Sequence, residues 1–251
     1  MIYEPFIHHA SFIHDTDPRY RIVFAFLYTA TVALLKEFPT LIASFLFSMT
    51  FIFLARLKGR EVLRQLLPAL GFILLIWMIL PFTYPGNPLI RLGPLGIIEG
   101  GIFIAAQVTL KSISILLTLM ALTATMSIAV LGHAMNRIGL PEKLVYLLLF
   151  AYRYIFVIEK EYQRLVRAAK IRGFRPKTNL HTYKTVAYLV GMIFLQAFAR
   201  AERVHQAMIC RGFNGTFYSL WEFSKSRNNT LFILLMTIFL TALVLVELLI
   251  R

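Results

Sequence analysis

The stretch Lys160-Glu161-Tyr162-Gln163-Arg164-Leu165-Val166-Arg167-Ala168-Ala169-Lys170-Ile171-Arg172-Gly173-Phe174-Arg175-Pro176-Lys177 decides how this chain is folded. It separates two apolar segments, residues 144–158 and 186–198, either of which could cross a bilayer on hydropathy alone. Between them stand Lys160, Arg164, Arg167, Lys170, Arg172, Arg175, Lys177 and Lys184, against only Glu159 and Glu161. If residues 144–158 crossed, this basic block would face outward, against the positive-inside bias. Arg153 would also sit near mid-bilayer, at a cost of about 2.5–3.5 kcal/mol on insertion scales. The spacing therefore predicts one cytoplasm-facing helical domain over 134–226, built of amphipathic helices partly embedded in the membrane.

Working outward, the block contains half of a repeat. Arg164, Ala168 and Arg172-Gly173-Phe174 recur as Arg203, Ala207 and Arg211-Gly212-Phe213, a constant 39 residues later (Arg172 to Arg211). The pattern is R-x3-A-x3-R-G-F. Residues spaced by four share one stripe of a helix, and glycine just past the stripe is the usual stop. Each copy thus predicts a basic helix ending in a presented arginine. A solvated basic face or lipid-phosphate snorkelling needs no such periodicity, no shared alanine and no shared Gly-Phe. Arginine suits a partner surface because its planar fork docks on carboxylates and stays charged when desolvated. Alanine between the arginines keeps the stripe narrow, and Phe174 and Phe213 either anchor the turn or fill a partner pocket.

Composition places these helices in a membrane protein. The chain is 59% hydrophobic and 14% aromatic, with mean hydropathy +0.72, well above the apolar share of soluble domains. Net charge is +14. In so apolar a chain, that charge reads as cytoplasmic loops and not as a nucleic-acid surface. The single cysteine, Cys210, excludes an intrachain disulfide and makes no metal cluster alone. The first twenty residues are polar and acidic with no apolar core segment, which argues against a cleavable signal.

A spanning helix needs about 20 apolar residues. Five candidates fit: 20–36, 41–55 after Pro39, 66–84 stopped by Pro81, Pro85 and Pro88, one within 100–131, and 230–250. Residues 100–131 are too long for one straight span, so the first turns are expected to form a loop or tilted lead-in. Tyr84-Pro85-Gly86-Asn87-Pro88 reads as a turn-rich loop. The fold class is an all-α membrane protein with about five transmembrane helices plus the coupling domain. Four spans lie in 1–133 and the last in 227–251. Arg56, Lys58, Arg60 and Arg64 mark the loop after the second span as cytoplasmic. The N-terminus is then inside, while the turn at 36–39 and the loop at 85–96 are outside. The last span ends outside, with Arg251 counting against that end.

No catalytic set is legible: no phosphate loop, no G-x-S-x-G and no H-E-x-x-H. His8, His9 and His14 lie near Asp15 and Asp17 and could bind a transition metal. The simpler reading is a solvated arm whose His14 and Asp15 cap the helix starting at Pro18. Neither a metal site nor a cofactor is expected.

The repeat and its surroundings resemble the T component of energy-coupling-factor transporters (the EcfT/CbiQ family), which carries two Ala-Arg-Gly-type motifs. Here they stand as Ile171-Arg172-Gly173 and Cys210-Arg211-Gly212, with isoleucine and cysteine in the alanine position. Asp17-Pro18-Arg19 is similar to the family's Asp-Pro-Arg start, and Arg200-Ala201-Glu202-Arg203 to its run before the second motif. The opening Met1-Ile2-Tyr3-Glu4-Pro5-Phe6 and the short length look most like the cobalt/nickel branch, CbiQ. The resemblance implies a non-enzymatic importer subunit in the cell membrane. Arg172 and Arg211 would contact two cytoplasmic ATP-binding-cassette ATPase subunits. A separate substrate-binding membrane (S) subunit would be cradled alongside.

Three alternatives remain open at this level. A vitamin-type T subunit shares the motifs. A conventional ABC permease is approached by Ala168-Ala169-x3-Gly173, but its acidic first position is Arg167 here and the trailing I-x-L-P is missing. A secondary transporter needs ionisable groups inside spans, and only Glu99, Lys111 and Glu247 offer themselves, near span ends. Gln107, Ser112, Ser114, Thr118, Thr123 and Thr125 along the fourth span read as glue between helices.

Overall fold

Asp17-Pro18 opens the first helix through ordinary capping chemistry. The Asp17 carboxylate accepts the Arg19 backbone N–H at 3.0 Å, and Pro18, whose missing N–H costs nothing there, takes the first helical position. The cap is Asp17, and the suggested role of His14 and Asp15 falls outside the described residues. The computed structural model describes residues 16–55, 57–83, 88–92, 95–215 and 227–250. Its elements in chain order are α1 (Pro18–Leu34), α2 (Phe38–Leu54), α3 (Gly59–Thr83), β1 (Pro88–Leu92), β2 (Leu95–Ile98), α4 (Glu99–Leu122), α5 (Ile128–Ile138), α6 (Glu142–Ile171), α7 (Leu180–Cys210) and α8 (Arg227–Ile250). The described residues fall into two compact units. One holds α1 to α5 with α8, and the other holds α6 and α7.

In the first unit, helices are joined by buried hydroxyls and aromatic rings. The Tyr28 hydroxyl of α1 donates to the Ser44 carbonyl at 2.8 Å and lies 2.7 Å from Ser48 Oγ. Ser48 in turn reaches the Ser114 carbonyl, and Thr118 donates back to Ser48, both at 3.0 Å. Three helices are thereby tied with every hydroxyl satisfied, which matters where water is excluded. Thr118 thus acts as glue between helices, whereas the Ser114 hydroxyl turns to the Leu110 carbonyl of its own helix. Tyr28 packs with Val32, Leu35, Leu41 and Leu243, and a second cluster gathers Phe24, Phe51, Leu117, Ala121, Phe232 and Met236.

Of the suspected ionisable groups of the spans, Lys111 and Glu247 bond between helices, and the Glu99 side chain lies outside the described residues. The Glu247 carboxylate on α8 accepts the Lys36 N–H and the Thr40 hydroxyl, each at 2.7 Å, at the start of α2. Lys111 Nζ donates to the Ala33 carbonyl at 3.1 Å, near the end of α1. Buried Arg21 donates to Thr125 Oγ1 at 3.1 Å. These groups stitch helix ends together.

α3 runs from Gly59 to Thr83, one residue short of the expected end at 84, with Pro68 and Pro81 inside it. A proline near a helix end disturbs little of the remaining ladder, and membrane helices tolerate it. The excess length of residues 100–131 is taken at the far end: α4 is regular from Glu99, and the break falls between Leu122 and Ile128. There Thr123 and Thr125 bond back to Leu119 and Ala121 carbonyls, and Ser127 Oγ accepts the Val130 N–H as α5 begins. Such hydroxyls compete with the helical ladder. Finally, β1 and β2 pair as an antiparallel hairpin where a loop alone was expected. The stretch 84–87 lies outside the described residues.

Close approach of α3 and α4 depends on Gly101. A Cβ there would lie 2.7 Å from the Leu80 carbonyl oxygen and 2.8 Å from Pro81 Cα. Both are backbone atoms and cannot swing aside.

By length and composition, α3, residues 100–122 of α4, α7 and residues 228–250 of α8 could each cross a membrane, and α2 is a shorter apolar helix. The chain is a multi-pass, all-α membrane protein. α1 is outside that set because it is 17 residues long and carries Arg19 and Arg21. α7 is inside it with a hydropathy of only 1.2. The expected division at 134 falls within α5, and the helical-hairpin unit itself begins at Gly139.

Candidate functional site

The two apolar segments that sequence alone leaves ambiguous are parts of longer helices. Residues 144–158 open the 30-residue α6, and 186–198 lie inside the 31-residue α7. Each helix is apolar early and ends in one copy of the repeat. Pro141 precedes α6, and Asn179 caps α7 by accepting the Thr182 N–H at 2.9 Å. The Thr182 hydroxyl donates to the same Asn179 oxygen and accepts the Lys177 N–H at 3.1 Å. The turn between the helices is therefore knitted by its own side chains. The Asn179-x-x-Thr182 spacing is a legible cap, which the sequence reading passed over.

The two Arg-Gly-Phe triplets close with the same pair of glycine and phenylalanine bonds, while the arginine N–H turns back to Ala168 at the first and to Met208 at the second. At the first, Gly173 takes φ 87°, its N–H bonds to the Lys170 carbonyl, and the Phe174 N–H bonds to the Ala169 carbonyl, both at 3.0 Å. At the second, Gly212 takes φ 80°. Its N–H bonds to the Ile209 carbonyl at 2.9 Å, and the Phe213 N–H bonds to the Met208 carbonyl at 3.0 Å. Both are Schellman ends, in which an αL residue lets two N–H groups fold back on orphan carbonyls. Glycine is there because a Cβ at positive φ is strained. Phe174 and Phe213 are half-buried. The C-capping arginine, Arg172 or Arg211, is exposed at each helix end.

Upstream, the copies share exposed arginines but not surroundings. Arg164 and Arg203 are both exposed; Ala207 is exposed and Ala168 half-buried. Arg164 lies 3.5 Å from Glu161, which also faces Arg200 of α7 at 4.0 Å. These exposed pairs contribute at most a few tenths of a kcal/mol to roughly 1 kcal/mol. Ala168 and Ala169 leave a groove beside Arg172, closed on the α7 side by His181, Tyr188 and Met192. Gly215, beyond the second triplet, instead lines a hollow with Pro141, Glu142 and Tyr146 at the start of α6. The helices thus run antiparallel, with one arginine end at their connecting turn and the other near the opposite end. For a 30-residue helix, that separation is about 45 Å.

Among the described residues, no three His, Cys, Asp or Glu side chains gather where they could hold a metal. His8, His9 and His14 lie outside those residues. Cys210 is exposed, immediately before Arg211.

The fold and these ends define a class: a multi-pass helical membrane protein that carries a hairpin with two matched, arginine-tipped ends. A sequence profile of the CbiQ family, described as a cobalt transport protein, matches residues 9–220, which include both copies of the repeat. The chain is 25% identical over 226 residues to the energy-coupling factor transporter transmembrane protein EcfT of Bacillus subtilis, covering 86% of this chain and 85% of that one. It is 28% identical over 227 residues to EcfT of Macrococcus caseolyticus, with 86% and 85% covered. An uncharacterized protein of Methanocaldococcus jannaschii is 23% identical over 257 aligned residues, covering 97% of this chain and 85% of its own length. The chain belongs to the CbiQ/EcfT family, the transmembrane subunits of energy-coupling-factor transporters.

Proposed function

We propose that this protein is the non-catalytic coupling subunit of an ATP-driven importer. Arg172-Gly173 and Arg211-Gly212, with Arg164, Ala168, Arg203 and Ala207 behind them, dock one each into two cytoplasmic ATP-binding-cassette ATPase subunits. The hairpin relays their closure to a separate substrate-binding membrane subunit. The observation that carries this reading is the pair of matched Schellman caps at the two ends of one hairpin. Two motor subunits that close on nucleotide need two rigid attachment points, and matched local geometry lets related grooves receive both. Arginine tips present bidentate donors that fit carboxylate-lined sockets.

In this reading the N-terminus and the unit over 134–226 face the cytoplasm, with α1 to α4 and α8 crossing the cell membrane. The carried solute is cobalt or nickel, a reading supported by the description of the matching family.

Arg172→Glu and Arg211→Glu, made singly and together, test the docking. A carboxylate facing carboxylates should release an ATPase subunit, and breaking a buried ion pair costs about 3–5 kcal/mol. Lysine at either position should restore binding only partly. Normal ATP-driven uptake in the double reversal would overturn the proposal. Orientation is tested by Lys177→Cys in a Cys210→Ser background. Impermeant thiol reagent should not label intact cells, and labelling from outside would place the hairpin on the wrong side. Radiolabelled cobalt and nickel uptake by cells expressing the chain with its partner subunits tests the cargo.

A further inference from the structure

The repeat duplicates a shape without duplicating its charge. Aligned at the constant offset, residues 164–177 hold six cations and residues 203–216 hold two, with no acidic residue in either window. The shared pair is Arg164 and Arg172 against Arg203 and Arg211. The other four, Arg167, Lys170, Arg175 and Lys177, are replaced in the second copy by Gln206, Ile209, Asn214 and Thr216. All four extra cations are exposed, as are Gln206, Ile209 and Asn214. The caps beneath them are the same, so the difference in charge is not a by-product of a different turn.

We propose that the two ends are docking sites of unequal electrostatic strength. The Arg172 end captures its ATPase subunit by long-range attraction to an acidic rim, and the Arg211 end seats the second subunit mainly by shape. This rests on the coupling reading above. A cluster of like charge raises association rates by one to three orders of magnitude, and the effect fades as salt shortens the screening length. A lone arginine tip fixes register and dissociation but steers little.

The placement of the cations favours a protein socket over a flat lipid surface. At 3.6 residues per turn, Arg164, Arg167, Lys170 and Arg172 spread over roughly 200° of the α6 circumference. A bilayer meets one side of a helix, whereas a concave groove wraps more than half of it. Among the described residues, the hollow beside Gly215 at the second end is lined by one cation, Lys143, next to Glu142.

The test uses the full chain in lipid nanodiscs with the ATP-binding-cassette subunits that co-purify with it. Arg211→Glu leaves the basic end to be measured alone, and Arg172→Glu leaves the other. Association through the Arg172 end should be faster at low salt by on the order of tenfold or more, and should lose that advantage at high salt. R167Q/K170I/R175N/K177T, which converts the first window to the second, should abolish the difference without releasing the subunit. Q206R/I209K/N214R should confer salt-sensitive capture on the second end. Equal rates and equal salt slopes at the two ends would overturn the inequality while leaving the coupling role intact. Failure of the unmutated chain to retain any ATPase subunit would overturn both. If the fourfold variant lost only its binding to phosphatidylglycerol vesicles, with ATPase capture unchanged, the cations would belong to the membrane and the proposal would fall.

Discussion

The two units of this protein treat burial in opposite ways. The unit of α1 to α5 and α8 buries Tyr28, Leu41, Leu122 and Met236 completely, and pairs the Ser48 and Thr118 hydroxyls inside. In the hairpin of α6 and α7, only Val145 and Thr182 are buried among the described residues. Meanwhile Leu180, Tyr188, Phe194 and Phe198 are each exposed by two thirds or more. Burial is the dominant favourable contribution to folding. A pair of helices that buries almost nothing within itself is held straight by backbone bonds, caps and whatever covers it. One unit has a buried core of its own, and the other has almost none.

The contrast predicts different sensitivities to mutation. The largest loss should come from Gly101→Leu in the first unit. Its side chain would meet the Leu80 carbonyl and Pro81 at under 3 Å, and such overpacking costs about 1–3 kcal/mol or more. Thermal unfolding in detergent should drop clearly, whereas an unchanged midpoint would mean that α3 and α4 are not in the contact described.

Next come Gly173→Val and Gly212→Val, which force a branched side chain to positive φ. Each should cost about 1–2 kcal/mol at its own helix end. Because the two caps share one geometry, the two losses should match, read as faster amide exchange at Phe174 and Phe213. A substitution tolerated at one end and not at the other would break the equivalence of the caps.

Smallest is Tyr28→Phe, which removes one hydroxyl from the Ser44–Ser48 pairing. Its expected cost is about 1 kcal/mol, since a hydrogen bond between membrane helices averages below that while an orphaned partner adds some. A loss as large as that of Gly101→Leu would show the network to be more cooperative than pairwise bonds imply.

Much of the hairpin was legible because its determinants are local. Arg-Gly-Phe at a helix end is a Schellman sequence wherever it occurs, so spacing by four and a terminal glycine sufficed to place both caps. Asp17-Pro18 was legible for the same reason. The break after Leu122 was misplaced because Gly100 and Gly101 look like the weaker end of that segment. The glycines are there so that α4 can lie against α3, while Thr123, Thr125 and Ser127 interrupt the ladder.

What the sequence determined by itself, then, is whatever depends on neighbours a few residues apart: membrane class, helix starts, the twin caps and the unequal charge of the two repeat windows. Only the tertiary structure decided the pairings between distant residues. It put Glu247 on the α2 start and Arg21 on Thr125, and used Gln107, Ser114 and Thr118 as joints. It also set the two arginine ends at opposite limits of one hairpin. Hydropathy carries no information about partners a hundred residues away, because any apolar helix face can meet any other until shape and buried polar groups choose.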